Sequence, residues 1–387
     1  MLFKKKSIAV LGSTGSIGKL SLNIFDKHKK KFKIDLLSCN KDKKTISVQI
    51  KKYKPKYVII NDKKIFNYFL KRNNKNILFF NNLKDFNKNI SFRFDITILA
   101  ISGYQGLEYA FFFNKISKRM LVANKESIIC GGSYLLKEAK LHNCKIKSID
   151  SELFCLDQII NSNNINDIKF IYLTASGGPF LKKKIKSVSN INYREALKHP
   201  KWQMGKKISI DSATLSNKIF EIMETSILFN INPNKIKIKI HEESKIHAIV
   251  VFNNNLIKMV AHNTSMKIPI ENAIFENKFV SRDESFFVSK KPLNFSFDEI
   301  NLKKFKILQP GWKAINLGPR AYIFFNVIND YLVDLYLKEK IFFYQISYKL
   351  NNIFNNKFLS NILKKPIKNK NDIFKTIVFS QEYCKKI

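Results

Sequence analysis

Asp150-Ser151-Glu152 sets two carboxylates two residues apart, directly after a predicted strand. In an extended segment, residues i and i+2 face the same way. Two hard oxygen ligands on one face, with further positions left to water or substrate, suit Mg²⁺ or Mn²⁺. Taken alone, the same triplet also fits an ordinary acidic turn. A third carboxylate, Glu221, falls in Asn217-Lys218-Ile219-Phe220-Glu221. Positions 217, 218 and 221 share one helix face. Amide, ammonium and carboxylate on one stripe are unusual for a solvated surface. They read as a phosphate contact beside a third metal ligand.

Four further motifs bear on chemistry. Gly12-Ser13-Thr14-Gly15-Ser16-Ile17-Gly18 follows a strand and opens a helix. Glycine permits a tight turn and a close approach to a pyrophosphate, and the helix N-terminus offers free N–H groups to that anion. An NAD-preferring site usually has an acidic residue at the end of the second strand. Here that strand ends Ser38-Cys39-Asn40-Lys41, with no carboxylate before Asp42. Lys41 suits a 2′-phosphate, which points to NADP, although Lys41 also fits as one more surface lysine. Asn124-Lys125-Glu126-Ser127 follows the predicted strand 120–123. Strand C-terminal ends form the binding crevice of an open α/β sheet, so Lys125 there suits a phosphate or a polarised carbonyl. Ala175-Ser176-Gly177-Gly178-Pro179 makes a turn rich in N–H donors, an anion nest. His199-Pro200-Lys201-Trp202-Gln203-Met204-Gly205 holds one of only two tryptophans. Its Pro/Gly bounds suit a lid that closes on a ligand; a core anchor is the other reading of Trp202.

The elements that must position these residues fall into three blocks. Strands at 7–11, 34–38, 57–60, 95–101, 120–123 and 145–149 alternate with helices at 17–28, 42–53 and 106–114. Such alternation predicts an α/β fold with a doubly wound, Rossmann-type parallel sheet over residues 1–149. The polar stretch 72–93 reads as decoration on that sheet. Residues 150–289 read as an α+β catalytic domain carrying the metal site and the lid. It has a strand at 168–173, a helix at 218–229, and antiparallel strands at 235–240, 247–252 and 256–261 turning at Asn253-Asn254-Asn255. Residues 290–311, with Pro292 and Pro310, read as a linker. Apolar residues then recur at helical spacing over 312–387, a small C-terminal helical domain.

The formal net charge is +39, with 69 Lys+Arg against 30 Asp+Glu. That balance raises the prospect of a nucleic-acid binder. The lysines, however, are spread along the chain, and Asn, Ile and Phe are abundant too, as AT-rich coding would produce. Retained carboxylates are therefore the informative residues. Cys39, Cys130, Cys144, Cys155 and Cys384 form no CxxC pair and read as reduced thiols of a cytoplasmic protein. No signal segment or membrane span is expected.

Together the motifs closely resemble the 1-deoxy-D-xylulose 5-phosphate reductoisomerase family of the non-mevalonate isoprenoid pathway. GSTGSIG, ANKES, DSE, SGGPF, HPKWQMGKKISIDSATLSNKIFE and the HxxSxxH pattern at His241–His247 occur in the family's order, strongly over about residues 7–270. The resemblance implies an NADPH- and divalent-metal-dependent rearrangement and reduction of a small phosphorylated sugar by a homodimer. It implies Thr14, Gly15, Ser16, Ile17, Asn40, Lys41, Asn124, Glu126 and Gly205 at the cofactor. It implies Asp150, Glu152 and Glu221 at the metal, and Lys125, Ser151, Ser176, His199, Ser212, Asn217 and Lys218 at the substrate, with Glu152 and Glu221 also touching it. Trp202 and Met204 would sit on the flap. Lys125 and the three carboxylates would be the catalytic set. The chain departs from the pattern at Asn40-Lys41-Asp42 and at Leu153, where the family has a histidine. The C-terminal part matches loosely, through Asn326 and Asn329. Another NADP-dependent dehydrogenase is the alternative enzyme, but one using a cysteine nucleophile would need a base beside Cys130 or Cys155.

Overall fold

The computed structural model describes residues 4–72, 76–183, 191–198, 202, 204–278 and 294–387. The chain begins with β1 (Lys6–Leu11), α1 (Ser16–Lys27), β2 (Phe32–Cys39), α2 (Lys43–Tyr53), β3 (Tyr57–Ile60), α3 (Lys63–Leu70) and β4 (Leu78–Phe80). It continues through α4 (Leu83–Asn87), β5 (Phe94–Leu99), α5 (Gly106–Lys115), β6 (Ser117–Val122), α6 (Lys125–Leu141) and β7 (Lys145–Ser148). These seven strands form one parallel sheet in the order β4-β3-β2-β1-β5-β6-β7. Central strands covered on both faces must be apolar along their length, and β3, Tyr-Val-Ile-Ile, is buried throughout. Strand order reverses between β1 and β5, the switch point at which such sheets open a crevice. The stretch read as decoration supplies β4 and α4. β4 is a three-residue edge with only Phe80 buried, so it carried little apolar pattern to find.

The chain goes on with α7 (Ser151–Ile160), β8 (Ile168–Ala175), α8 (Tyr193–Ala196), α9 (Lys206–Thr214), α10 (Ser216–Phe229), β9 (Ile236–Ile240), β10 (Ile246–Phe252) and β11 (Ile257–Ala261). Six helices close it: α11 (Lys267–Phe275), α12 (Leu308–Leu317), α13 (Pro319–Leu337), α14 (Phe343–Phe354), α15 (Lys357–Leu363) and α16 (Lys370–Cys384). The second sheet has the order β11-β10-β8-β9. It is mixed, not antiparallel throughout: β10 runs antiparallel to β8 and β11, but β9 runs parallel to β8. β8 and β9 are joined through α9 and α10, a connection long enough for a parallel crossover.

By packing, the chain divides into two compact units. The first comprises Met1–Ser127, Leu135–Asp150 and Met266–Val280; the second comprises Ile128–Tyr134, Ser151–Ser265 and Ser281–Ile387. Composition alone draws its boundaries at 149/150, 289/290 and 311/312, and two features depart from them. α11 buries Ile270, Ala273 and Ile274 in the core that holds Ile24 and Phe25, so it joins the first unit. The stretch 290–311 ends in helix from Leu308. Pro310 stands in the first turn of α12, where a missing N–H has no acceptor to lose. Residues 290–293 of that stretch lie outside the described residues.

Candidate functional site

In the first unit, the loop after β1 is shaped by two glycines and held by a buried hydrogen-bond network. Gly12 has φ +76°, and a Cβ there would stand 2.5 Å from the Ala100 carbonyl oxygen. A Cβ on Gly18 would collide with the Gly12 carbonyl oxygen and Ser13. Both therefore satisfy steric needs internal to the fold. Gly15 differs. It is exposed, its φ is −75°, and a Cβ would meet only the Gly12 oxygen at 3.4 Å. No steric contact within the protein demands glycine there, and the position lies open at the N-terminus of α1, the kind of place where an anion can approach free N–H groups. Thr14, Ser16 and Ile17 flank it at partly or fully exposed positions.

The loop's anchors were not singled out by sequence reading. Ser13 Oγ donates to Gln49 Oε1 (2.7 Å), while Gln49 Nε2 donates to the Ser13 carbonyl (2.8 Å). Ser38 Oγ accepts from Gly12 N–H (2.9 Å). Polar residues buried with their partners are the available signal, and they are visible only in three dimensions. At the end of β2, Asn40 and Lys41 are exposed. Asp42 caps α2 by accepting from the Thr45 N–H (2.9 Å). That cap and the Thr45 contacts hold its carboxyl below the ordinary range. Its charge is thus committed to the helix rather than to a ribose hydroxyl. Asn124 caps α6, with Oδ1 accepting from the Ser127 N–H (2.6 Å) and Nδ2 donating to the Ile101 and Gly103 carbonyls. Its side chain thereby fixes the loops at the ends of β5 and β6. Glu126 is buried in the first turn of α6. Lys125, buried beside it, pairs with Asp150 at 2.7 Å.

The second candidate site gathers carboxylates. Asp150, Glu152 and Glu221 each offer an oxygen, and these oxygens all lie within 4.8 Å of one another. The extended geometry expected for Asp150–Glu152 is replaced by a helix start: α7 begins at Ser151, so Glu152 stands in its first turn. The convergence comes from that turn and from α10. Ser151 Oγ donates to Glu152 Oε2 (2.6 Å). Lys218 Nζ bonds Glu152 and also Glu221 Oε2 (2.6 Å), and Asn217 Nδ2 donates to Glu221 Oε1. Burial opposes the charge of Lys218, but Glu152 and Glu221 outweigh it and hold its pKa above the ordinary value. Three hard oxygen donors at this spacing, with Glu221 fully buried, fit a divalent cation.

A third set surrounds the turn after β8. Gly177 and Gly178 have φ of +78° and +65°, and Ser176 Oγ accepts from the Gly178 N–H (3.2 Å). A Cβ on Gly178 would stand 3.1 Å from the Ser212 carbonyl oxygen. The turn therefore packs closely on α9 at Ser212 and Ala213. Leu215, at φ +71°, forms the bend from α9 into α10. Asn329 spans that bend: Nδ2 donates to the buried Asp211 Oδ1 (2.7 Å) and Oδ1 accepts from Ser216 Oγ (3.0 Å). Lys207 pairs with Asp211 and Asp330. Sequence reading gave Asp211 and Asn329 no role, although both lay in quoted motifs.

His199, and with it residues 200, 201 and 203 of the expected flap, lies outside the described residues. Trp202 and Met204 are half-buried and Gly205 is the exposed N-cap of α9. Of the HxxSxxH pattern, His241 organises a turn: Nδ1 donates to the Ser296 carbonyl (2.9 Å) and Nε2 accepts from the Lys245 and Ile246 N–H groups. The five cysteines are free and buried. Burial pushes the thiols of Cys144 and Cys384 up to about 11 and that of Cys39 up to about 12. Cys130 Sγ accepts from Asn326 Nδ2 at 3.1 Å. A thiol whose pKa is raised in this way is a poor thiolate nucleophile, as Cys39, Cys144 and Cys384 are.

A family model described as 1-deoxy-D-xylulose 5-phosphate reductoisomerase matches residues 8–132. Models of that enzyme's C-terminal domain match residues 146–229 and 262–382. A Pelagibacter ubique protein named 1-deoxy-D-xylulose 5-phosphate reductoisomerase is 42% identical over 373 residues, covering 92% of this chain and 93% of that one. A Clostridium novyi protein of the same name is 35% identical over 349 residues, covering 88% and 90%. A solved structure of DOX-P reductoisomerase in complex with NADPH, fosmidomycin and magnesium aligns with TM-score 0.90 at 27% identity, covering 98% of this chain and 97% of that one.

Proposed function

This chain belongs to the 1-deoxy-D-xylulose 5-phosphate reductoisomerase family, and from that premise we propose that it converts 1-deoxy-D-xylulose 5-phosphate to 2-C-methyl-D-erythritol 4-phosphate with NADPH and a divalent cation. The observation that carries this reading is the convergence of Asp150, Glu152 and Glu221 to within 4.8 Å. A generic dehydrogenase has no need of that arrangement.

When bound, the cation supplies Lewis acidity and a template for the substrate's carbonyl and hydroxyl oxygens, and NADPH supplies the hydride. Asp150, Glu152 and Glu221 would hold the cation and more than neutralise it, leaving one negative charge for the neighbouring Lys218 to offset, with Ser151 fixing the Glu152 carboxylate. Lys125 stabilises negative charge developing on a substrate oxygen. Ser176, Ser212, Asn217, Lys218 and His199 grip the phosphate. Thr14, Gly15, Ser16, Ile17, Asn40, Lys41, Asn124, Glu126 and Gly205 line the cofactor. Trp202 and Met204 belong to a segment that covers the substrate and excludes water, driven by phosphate binding remote from the reacting bonds.

The active form in this reading is a cytoplasmic homodimer. Five buried, reduced cysteines suit a reducing compartment. Among the described residues β11 is an edge strand, and its Ile257 and Met259 are exposed. Among the described residues, no helix is long and apolar enough to cross a membrane.

The test is NADPH oxidation with 1-deoxy-D-xylulose 5-phosphate, with and without EDTA. Oxidation that requires the sugar phosphate and is abolished by EDTA is expected. Turnover unaffected by EDTA would remove the metal from the reading. Salt-sensitive DNA binding without turnover would favour a basic nucleic-acid binder instead.

A further inference from the structure

β10 and the residue just past β11 bring two buried histidines face to face. The rings of His247 and His262 have centroids 4.1 Å apart and planes 22° apart. The stack continues in both directions. Trp202 meets His247 edge-on at 5.9 Å and 64°. Phe154 meets His262 at 5.9 Å and 58°. Phe154 stands on α7, two residues beyond Glu152. Four rings therefore run from the segment before α9 to the helix that presents a metal ligand.

The His262 ring is held in one orientation. Its Nδ1 lies 2.7 Å from the Asn263 carbonyl oxygen, which can only accept, so Nδ1 carries the proton. Burial holds its pKa below the ordinary histidine value. A neutral ring stacks on His247 without charge repulsion, and a flat partner at this separation restricts how His247 can turn. His247 in turn is the surface against which Trp202 packs.

We propose that His262 is a positioning residue: it sets the plane of His247 and thereby the seat of Trp202, so that it governs substrate affinity without touching substrate. This rests on the reading of Trp202 as part of the substrate-covering segment. An aromatic partner contributes through its flat face, so a phenyl ring will replace imidazole here and a branched aliphatic of similar bulk will not.

The experiment compares His262→Leu with His262→Phe in the full-length enzyme. Trp312→Phe is the common background, leaving Trp202 as the single emitter. His262→Leu is expected to shift Trp202 emission without substrate present. It is expected to raise KM for 1-deoxy-D-xylulose 5-phosphate about three- to tenfold, the scale of one aromatic contact. The same variant should leave kcat within a factor of about two, the pattern of lost binding common to ground and transition states. His262→Phe should restore both emission and KM, and the NADPH dissociation constant should hold throughout. Unchanged emission in His262→Leu overturns the proposal, as does a Phe variant as impaired as Leu. The emission arm uses no turnover. An inactive parent enzyme would therefore sink the assigned reaction while the ring column is still tested.

Discussion

Gly12, Gly15 and Gly18 shape their loop with backbone alone, and Ser13, Ser38 and Gln49 satisfy its polar groups internally. Asp150, Glu152 and Glu221 bring three like charges together; the ammonium of Lys218 bonds Glu152 and Glu221, and Lys125 pairs with Asp150. The loop is complete as folded, whereas the cluster depends on a counter-charge. A site made of shape is spoiled by adding an atom. A site made of charge is spoiled by changing a charge at constant shape. The two regions should therefore fail in different ways, and the failures can be ordered.

The largest effect is expected at the charged region. Glu221→Gln keeps shape and removes one charge. It should cut turnover by about two to four orders of magnitude, the worth of several kcal/mol of metal-assisted stabilisation. NADPH affinity, measured by cofactor fluorescence, should hold; near-normal turnover with Mg²⁺ or Mn²⁺ would show that the cluster is not the metal site. Lys218→Met removes the counter-charge that bonds Glu152 and Glu221. Breaking a buried pair in this way costs about 3–5 kcal/mol, so thermal stability should drop without metal. Added Mg²⁺ should raise the melting temperature of this variant more than that of the parent. An equal Mg²⁺ shift in both would mean that Lys218 and the cation do not share the carboxylates.

The loop responds to single atoms. Gly18→Ala should cost about 1–3 kcal/mol of stability through overpacking. Gly15→Ala should cost at most about 1 kcal/mol as a poorer N-cap, yet weaken NADPH about tenfold or more by crowding the open N-terminus of α1. Should both variants lose stability equally and bind NADPH alike, the division between internal and ligand-facing glycines collapses. The smallest effect is at Asp42. Asp42→Ala should cost about 1 kcal/mol for the lost cap. The native Asp42 pKa is depressed, so its contribution is full above the ordinary carboxylate value and fades as pH falls through the lowered one. Denaturation curves of parent and variant should therefore converge in acid.

Much of the first region could be read directly. β1, the glycine spacing and the start of α1 are local, and period and turn chemistry report them. The three carboxylates were also legible as residue types, because acidic residues are rare in a chain of net charge +39. Their geometry was not: an extended Asp150–Glu152 pair and a helical start at Ser151 fit the same few residues, and the choice depends on what α7 packs against. Gln49, Asn329 and His262 were illegible for a related reason. Each acts on a partner 36, 113 or 15 positions away, and no local period encodes such a pairing.

The sequence by itself determined the class of sheet, the glycine loop after the first strand and the inventory of acidic residues, since these depend on neighbours along the chain. Tertiary structure alone decided that Lys218 sits between two carboxylates, that Gly18 serves the fold while Gly15 faces outward, and that two histidines stack. Burial and distance are properties of the packed chain, and they convert a list of acids, bases and glycines into charges that oppose, offset or exclude one another.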